Sequence, residues 1–297
     1  MSSLINSLCI ASYNSTGFGL SAQNHMKTLL SFCDILCVQE HFLLDSRSKK
    51  CSNTDKLKNQ FSGLHDMFIV PANKSNDNIS KGRGKGGLAL IWKKSLTKFI
   101  TKIPSDNFRL QAAKFNLPHS EFLLVNAYFP CDPRTENFDE TELLNLLASL
   151  ELLIRKSECQ NVLLAADLNC HFSRDTQFTK LVSSSLKNLN LSILWEQPEF
   201  AVDYTFCNII NEVATFSTLD HFAVSPRLSV LVEDAGVIHS GENLSNHSAI
   251  YLKLKIDKLS LEVEEATRVP RSSWTKANDD AKEAFKNILA TQLKNIP

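Results

Sequence analysis

One stretch constrains the fold more than any other: Val162-Leu163-Leu164-Ala165-Ala166-Asp167-Leu168-Asn169. A continuous apolar run of this length reads as a strand buried on both faces. It ends abruptly in Asp-Leu-Asn. A carboxylate at the tip of a buried strand is costly unless partners reach it, so the rest of the chain must supply them. If the strand continues past Asp167, that carboxylate and the Asn169 amide project the same way. The outcome is an acceptor-rich patch at the mouth of a sheet, suited to handling a phosphate and a water.

The remaining pattern supplies layers around this strand. Apolar runs at 8–13, 35–39 and 68–70 read as strands. Four further runs follow at 88–92, 99–103, 110–116 and 122–128, and their short connections predict an antiparallel meander. Later strands are predicted at 204–207, 216–224, 229–237 and 249–256. Helical spacing of Met26, Leu29, Leu30 and Cys33 predicts a helix over 21–32. A second begins at Asp139. There Asp139 and Glu142 have capping-box spacing, and Leu143, Leu144, Leu147, Leu150 and Ile154 form a stripe. A third helix is predicted over 178–189. Residues 45–59 and 73–87 read as polar connections. Two similar halves of strands and helices predict an α/β fold, with two sheets face to face and helices outside. With 297 residues and 43% hydrophobic content, the chain can bury one large core or two modest ones.

Past Lys258 the composition turns charged. Residues 1–258 are therefore read as one domain, and 259–297 as a linker and the start of a following region. Val269-Pro270-Arg271-Ser272-Ser273 has linker composition. Asn278 is placed to cap a helix with Ala281, Ala284, Phe285, Ile288 and Leu289 on one face. That stripe lacks an obvious partner, so the expectation is that the chain stops inside a longer protein.

Composition removes several function classes. Lys plus Arg equals Asp plus Glu, 32 of each, so a basic coat for non-specific nucleic-acid binding is excluded and DNA contact would need local patches. The opening Met-Ser-Ser-Leu-Ile-Asn is no secretory signal, and no run is long enough to cross a bilayer. The eight cysteines form no Cys-x-x-Cys pair, which argues for reduced core thiols in an intracellular protein rather than a zinc or redox site. Gly82-x-Gly84-x-x-Gly87 matches a dinucleotide fingerprint by letters only. A polar stretch precedes it and a strand follows, the reverse of what that motif needs.

Several apolar strands close on a polar residue: Asn14, Glu40, Tyr128, Asp167 and Asn169. Asp220 interrupts another, and Asn246-His247 precedes the last. Any one of these usually caps a turn. Together they offer carboxylates, amides, an imidazole and a phenol. Carboxylate oxygens suit Mg²⁺, and ligand softness argues against zinc.

The ordered set Ser12-Tyr13-Asn14, Val38-Gln39-Glu40, Arg83-Gly84-Lys85-Gly86-Gly87-Leu88-Ala89, Asn126-Ala127-Tyr128, Ala166-Asp167-Leu168-Asn169, Tyr204-Thr205-Phe206, Leu219-Asp220-His221 and Ser245-Asn246-His247-Ser248 resembles the endonuclease/exonuclease/phosphatase superfamily. The wording of the last three is most similar to the apurinic-like endonuclease domain of LINE-type (non-LTR) retrotransposons. The resemblance implies a four-layered α/β/β/α sandwich with mainly antiparallel or mixed sheets. It implies Mg²⁺, with Mn²⁺ as an alternative, and a double-stranded DNA partner. It also implies a reverse transcriptase region in the same polyprotein and action inside the cell, in the nucleus.

By the same resemblance Glu40 ligates the metal, joined by Asn246. Asp167 orients or deprotonates the attacking water. Asn14 and Asn169 hold the scissile phosphate, and Tyr128 hydrogen-bonds a phosphate oxygen. Asp220 fixes the tautomer of His247, whose other nitrogen faces the phosphate, and Thr205 supports from behind. His41 and His221 are read as structural. Arg83 and Lys85 are the candidates for the DNA backbone, and Asn208 and Asn211 for the minor groove. The implied activity nicks DNA and leaves a 3′-hydroxyl that primes reverse transcription. Its rivals are a repair-type apurinic endonuclease or phosphatase of the same fold, and a weakened DNA-binding module. Two departures motivate the last: Asn246 stands where the family often has Asp, and Thr16 where the apurinic enzymes often have an acid. An Asn carbonyl adds no charge, so weaker Mg²⁺ binding is expected.

Overall fold

The computed structural model describes residues 7–45, 53–74, 84–117, 120–133, 139–256 and 283. Both sheets lie in the unit Met1–Leu259. The linker and capped helix expected near Val269 and Asn278 lie outside the described residues.

The first half runs β1 (Ser7–Asn14), α1 (Leu20–Phe32), β2 (Ile35–Gln39), α2 (Asp55–Phe61), β3 (His65–Val70), the short β4 (Asn73–Lys74) and β5 (Gly84–Lys85), and β6 (Leu88–Lys93). A 3₁₀ turn at Lys94–Phe99 leads into β7 (Ile100–Ile103), β8 (Leu110–Leu117), β9 (Ser120–Tyr128), α3 (Thr141–Ser157), β10 (Val162–Asp167) and α4 (Gln177–Asn188). The chain then forms β11 (Ser192–Ile193), β12 (Phe206–Ile210), β13 (Val213–Ser217), β14 (Asp220–Val224), α5 (Pro226–Ser229), β15 (Val232–Ile238) and β16 (Ala249–Lys255).

Two mixed six-stranded sheets result. One has the order β15-β16-β1-β2-β6-β3 and the other β11-β14-β10-β9-β8-β7. Period-two alternation sorts the inward side chains of the central strands from the outward ones. Leu8, Ile10, Ile35, Cys37, Leu90 and Trp92 of the first sheet meet Phe115, Phe122, Leu124, Leu163, Ala165 and Phe222 of the second in one apolar core. The outer face of the first sheet is covered by Met26 and Leu29 of α1 and by Leu57 and Phe61 of α2. The outer face of the second is covered by Leu143, Leu146, Leu147, Leu150 and Leu153 of α3 and by Phe178, Val182 and Leu186 of α4. This is the four-layered α/β/β/α sandwich expected. Among the described residues no helix is long and apolar enough to cross a membrane, and the described cysteines are free thiols.

Local expectations are corrected in several places. The meander covers only β7, β8 and β9. β6 pairs with β2 and β3 in the opposite sheet, and the 3₁₀ turn carries the chain across. Alternation reports burial, not the partner. Within the connection 45–59 a helix forms at Asp55–Phe61, because Leu57 and Phe61, four apart, both reach the core. The strand predicted over 216–224 is two strands in different sheets, β13 and β14. The strand expected at 204–207 begins at Phe206 and runs to Ile210, and that expected from Ser229 begins at Val232. On α3 the buried stripe includes Leu146 and Leu153, while Leu144 is 45% exposed. The capping box does not form. The Thr141 N–H donates to Asp139 Oδ1, and Glu142 is taken by Arg109 instead.

Candidate active site

The inter-sheet core changes character along its strands. In β1 the inward positions run Leu8, Ile10, Ser12, Asn14; in β2, Ile35, Cys37, Gln39; in β9, Phe122, Leu124, Asn126, Tyr128; in β10, Leu163, Ala165, Asp167. Apolar contact gives way first to a buried amide network and then to the polar strand ends. In that network Gln39 Nε2 donates to Ser12 Oγ (2.8 Å) and to Asn126 Oδ1 (2.7 Å) across the sheets. Asn126 Nδ2 donates to the Val38 and Ala89 carbonyls (3.2 Å each) and to Gln111 Oε1 (3.0 Å). Gln111 Nε2 donates back to the Phe68 carbonyl at 2.7 Å. Gln39, Gln111 and Asn126 are fully buried. No sequence signal marks them for this role, because their partners lie on other strands.

Beyond the network the strand ends meet. Parallel pairing of β1 with β2 sets Asn14 beside Gln39, and pairing around β10 sets Asp167 between Tyr128 and Asp220. Asn14 Nδ2 joins the sheets by donating to Glu40 Oε2 (3.0 Å) and to Asp167 Oδ2 (2.8 Å). The Tyr128 phenol lies close enough to Glu40 to feel its charge. Glu40 itself adopts φ +54°, a strained left-handed turn after β2, and Gly17 N–H donates to its carbonyl at 2.8 Å. The strand does not continue past Asp167. Asn169 instead has φ +50°, its N–H donates to Asp167 Oδ1 (2.9 Å), and its amide donates to the Phe129 carbonyl (2.9 Å) and towards Asp167 Oδ2 (3.4 Å). The Asn169 side chain thus reaches Asp167 by a turn rather than by strand alternation.

His247 completes the cluster. Its Nδ1 lies 2.9 Å from Asp220 Oδ2 and its Nε2 4.0 Å from Asp167 Oδ2. Thr205 Oγ1 accepts from the Leu219 and Asp220 backbone N–H groups, both at 2.9 Å, which fixes the turn that presents Asp220. The loop before His247 is anchored by residues that sequence reasoning leaves without a role. Tyr13 donates to Asn243 Oδ1 (2.7 Å), Asn243 Nδ2 to the His247 carbonyl (2.6 Å), and Ser245 Oγ to the Asn14 carbonyl (2.9 Å). Thr16 Oγ1 lies 3.0 Å from Ser245 Oγ.

Burial raises Asp167 to about 7. Asp220 and Glu40 push the same way, while His247 and the Asn14 hydrogen bond oppose them. Desolvation disfavours the charged form of His247, but Asp220 and Asp167 outweigh it and carry the imidazole up to about 9. Desolvation, with Glu40 and Asp167, raises the Tyr128 phenol, keeping it protonated. His41 and His221 are buried and neutral, both lowered to about 4 by desolvation. Their ring nitrogens hold backbone groups, as structural histidines do.

Asp167, Asp220 and His247 offer ligand atoms within 4.8 Å of one another. His247 is committed to Asp220, which makes this trio a place to hold a proton. A hard divalent cation is better served by the oxygens of Glu40 and Asp167, bridged by Asn14, and that donor set fits Mg²⁺ or Mn²⁺.

Of the expected DNA contacts, Arg83 lies outside the described residues. Lys85 is exposed at the end of β5 and lies near enough to Cys131 to favour its thiolate electrostatically. Asn208 and Asn211 belong to the β12–β13 hairpin, and Asn211 and Glu212 form its two-residue turn with positive φ at both. The hairpin exposes Ile209, Ile210 and Val213, and Phe206 packs on the His247 ring at 4.8 Å. Asn246 is exposed beside Asn208 and Tyr204 in a groove of about 620 Å³, and its carbonyl accepts from Cys207 N–H.

Comparison with known proteins bears on the fold and the family. No curated protein matches the sequence. The fold is similar to an AP endonuclease from Leishmania major, with TM-score 0.64, 16% identity, and 84% of this chain and 88% of that one covered. It is also similar to a 3′ phosphatase from Neisseria bound to product DNA hairpin, with TM-score 0.61, 15% identity, and 83% and 99% covered. A third likeness is to the endonuclease domain of TRAS1, a telomere-specific non-LTR retrotransposon, with TM-score 0.59, 15% identity, and 84% and 100% covered. The model of the Endonuclease/Exonuclease/phosphatase family matches residues 11–247, and the chain belongs to that family.

Proposed function

We propose that this protein is a divalent-metal-dependent endonuclease that nicks duplex DNA. In an element-encoded polyprotein acting in the nucleus, the 3′-hydroxyl so released primes reverse transcription. The observation that carries the reading is the bridge from Asn14 to both Glu40 and Asp167, because it brings the two sheets' carboxylates to one point.

The roles follow from charge and position. A cation held by Glu40 and Asp167 supplies Lewis acidity to the phosphate when bound. Asp167, buried against Asn14 and 4.0 Å from His247, is placed to orient the attacking water and take its proton near neutrality. His247, raised to about 9 and braced by Asp220, is a cation at that pH and donates towards a phosphate oxygen. Tyr128, still protonated, donates to another oxygen as negative charge builds, and Asn169 and Asn14 fix the phosphate between them. Thr205 keeps Asp220 in register. Lys85 and Arg83 follow the DNA backbone, the hairpin carrying Asn208 and Asn211 enters a groove, and Asn246, next to His247 in sequence, is assigned to the metal as a further oxygen donor.

The test is nicking of supercoiled plasmid in Mg²⁺, with Glu40→Ala and Asp167→Ala as controls and the cut ends sequenced. Parent nicking with 3′-hydroxyl ends, lost in both variants, is the expected result. Intact plasmid with the parent, or persistent nicking in both variants, sinks the reading. A second reading, repair-type cleavage or phosphatase action, is favoured by likeness to the Leishmania and Neisseria proteins. Strong preference for an abasic duplex or a 3′-phosphate end over intact DNA selects it.

A further inference from the structure

Arg109 is only 3% exposed, which is uncommon for a guanidinium without a partner at every donor. Its contacts converge on one residue of the site. β8 pairs with β9 from Leu110 opposite Ala127 onward, so Arg109 and Tyr128 stand just past the last regular rung. There the Tyr128 N–H donates to the Arg109 carbonyl (3.0 Å) and Arg109 Nη1 donates to the Tyr128 carbonyl (3.3 Å). The guanidinium carbon lies 5.0 Å from the centroid of the Tyr128 ring and 5.3 Å from that of Phe108. Both Nε (2.9 Å) and Nη2 (2.6 Å) donate to one oxygen of Glu142, in the first turn of α3. Gly86 closes in on the tyrosine as well: a Cβ there would lie 3.7 Å from Tyr128 Cδ1.

We propose that Arg109, clamped by Glu142, is a positioning residue for Tyr128, holding both its backbone and its ring so that the hydroxyl points into the cluster beside Glu40. On one side Tyr128 stays paired with Asp167 of β10; on the β8 side, where the regular ladder stops, the Arg109 side chain holds the Tyr128 carbonyl. The same guanidinium sets a positive charge against the ring of a phenol that otherwise faces Glu40 and Asp167. Glu142 fixes its torsions through two donors of the planar fork. A lysine offers charge without the fork and holds neither the carbonyl nor the ring plane. The catalytic part of this role rests on the nuclease reading; the placement of Tyr128 does not.

The experiment uses the full chain with Arg109→Lys and Glu142→Gln. Glu142 is 55% exposed, so its substitution leaves the core alone. Protein labelled with ¹³Cζ-tyrosine reports Tyr128 by NMR, assigned from its loss in Tyr128→Phe. The expected result is a shifted, broadened Tyr128 signal in both variants. Turnover for nicking then drops roughly tenfold or more with KM within about twofold, as misplacement of a reacting group predicts. In the Tyr128→Phe background the same substitutions should change turnover by less than about twofold. An unchanged Tyr128 signal in both variants overturns the proposal, as does an equal loss of turnover in the Tyr128→Phe background. Failure of the parent to nick DNA would refute the nuclease reading alone, and the NMR signal would still decide the clamp.

Discussion

Acid should destabilise this protein through His41, whose ring is fully buried between the ends of β3 and β6. Nε2–H donates to the Val70 and Leu88 carbonyls at 3.2 and 3.3 Å, and Nδ1 accepts from Leu43 N–H at 3.0 Å. A second proton would have to go on Nδ1, where it would face an N–H donor in a site closed to solvent. Desolvation accordingly lowers the group from its ordinary 6.5 to about 4. The folded state therefore binds this proton less readily than the unfolded state. Its contribution to stability is complete above pH 6.5 and is lost as pH falls towards 4. At 1.36 kcal/mol per pH unit of difference, the loss is about 1.4 kcal/mol at pH 5.5 and about 2.5 kcal/mol at pH 4.5. Asp167, raised to about 7, changes in the opposite sense over the same interval, and His221, also lowered to about 4, changes in the same sense, so the parent's own curve mixes them. The clean quantity is the gap between the parent and His41→Gln, which keeps an N–H donor and does not titrate. Urea unfolding at pH 7, 5.5 and 4.5 should show that gap shrinking by those amounts. A gap constant to within about 0.5 kcal/mol would refute the reasoning.

Three further substitutions probe the site and its support. Asn126→Leu strands the Gln39 amide, Gln111 Oε1 and two backbone carbonyls, and should cost about 3–5 kcal/mol in urea unfolding; a loss under about 1 kcal/mol would contradict this. Thr205→Val leaves the Leu219 and Asp220 N–H groups without their acceptor in a fully buried position, which should cost about 2–4 kcal/mol and slow nicking by loosening Asp220. If Asn246 is a metal donor as proposed, Asn246→Asp adds a charge worth about 1 kcal/mol, and the half-saturating Mg²⁺ for nicking should fall about fivefold; an unchanged titration would detach Asn246 from the metal.

The candidate catalytic set is readable because its chemistry is local: a polar residue closing an apolar strand stands out against its own neighbours. Asn14, Glu40, Tyr128 and Asp167 are each visible that way, and their order along the chain carries the family resemblance. His41 and His221, beside two of them, read as structural, and their ring contacts agree. What stays hidden depends on partners remote in sequence. Arg109 has no reason to look special until Glu142, 33 residues later, takes its fork. Gln39 and Asn126, 87 apart, look like ordinary polar residues until the sheets close on them. The assignment of β6 to the wrong sheet has the same origin. A strand's alternation tells which face is wet, and nothing in it names the neighbouring strand. Glu142 also shows how a local rule loses: a capping-box residue is worth little against a buried guanidinium that needs it.

The amide seam between the sheets has a consequence for folding. Each sheet carries only half of the reactive groups, and the halves are brought into alignment by hydrogen bonds that exist only when the two layers have docked and excluded water. A one-residue slip in the register of one strand would turn its inward side chains outward, and a shift of one layer over the other would leave these amides facing hydrocarbon. Assembly of the polar cluster and completion of the core are thus one event. Recovery of nicking during refolding should coincide with the final cooperative step, and no loosely docked intermediate should cut DNA.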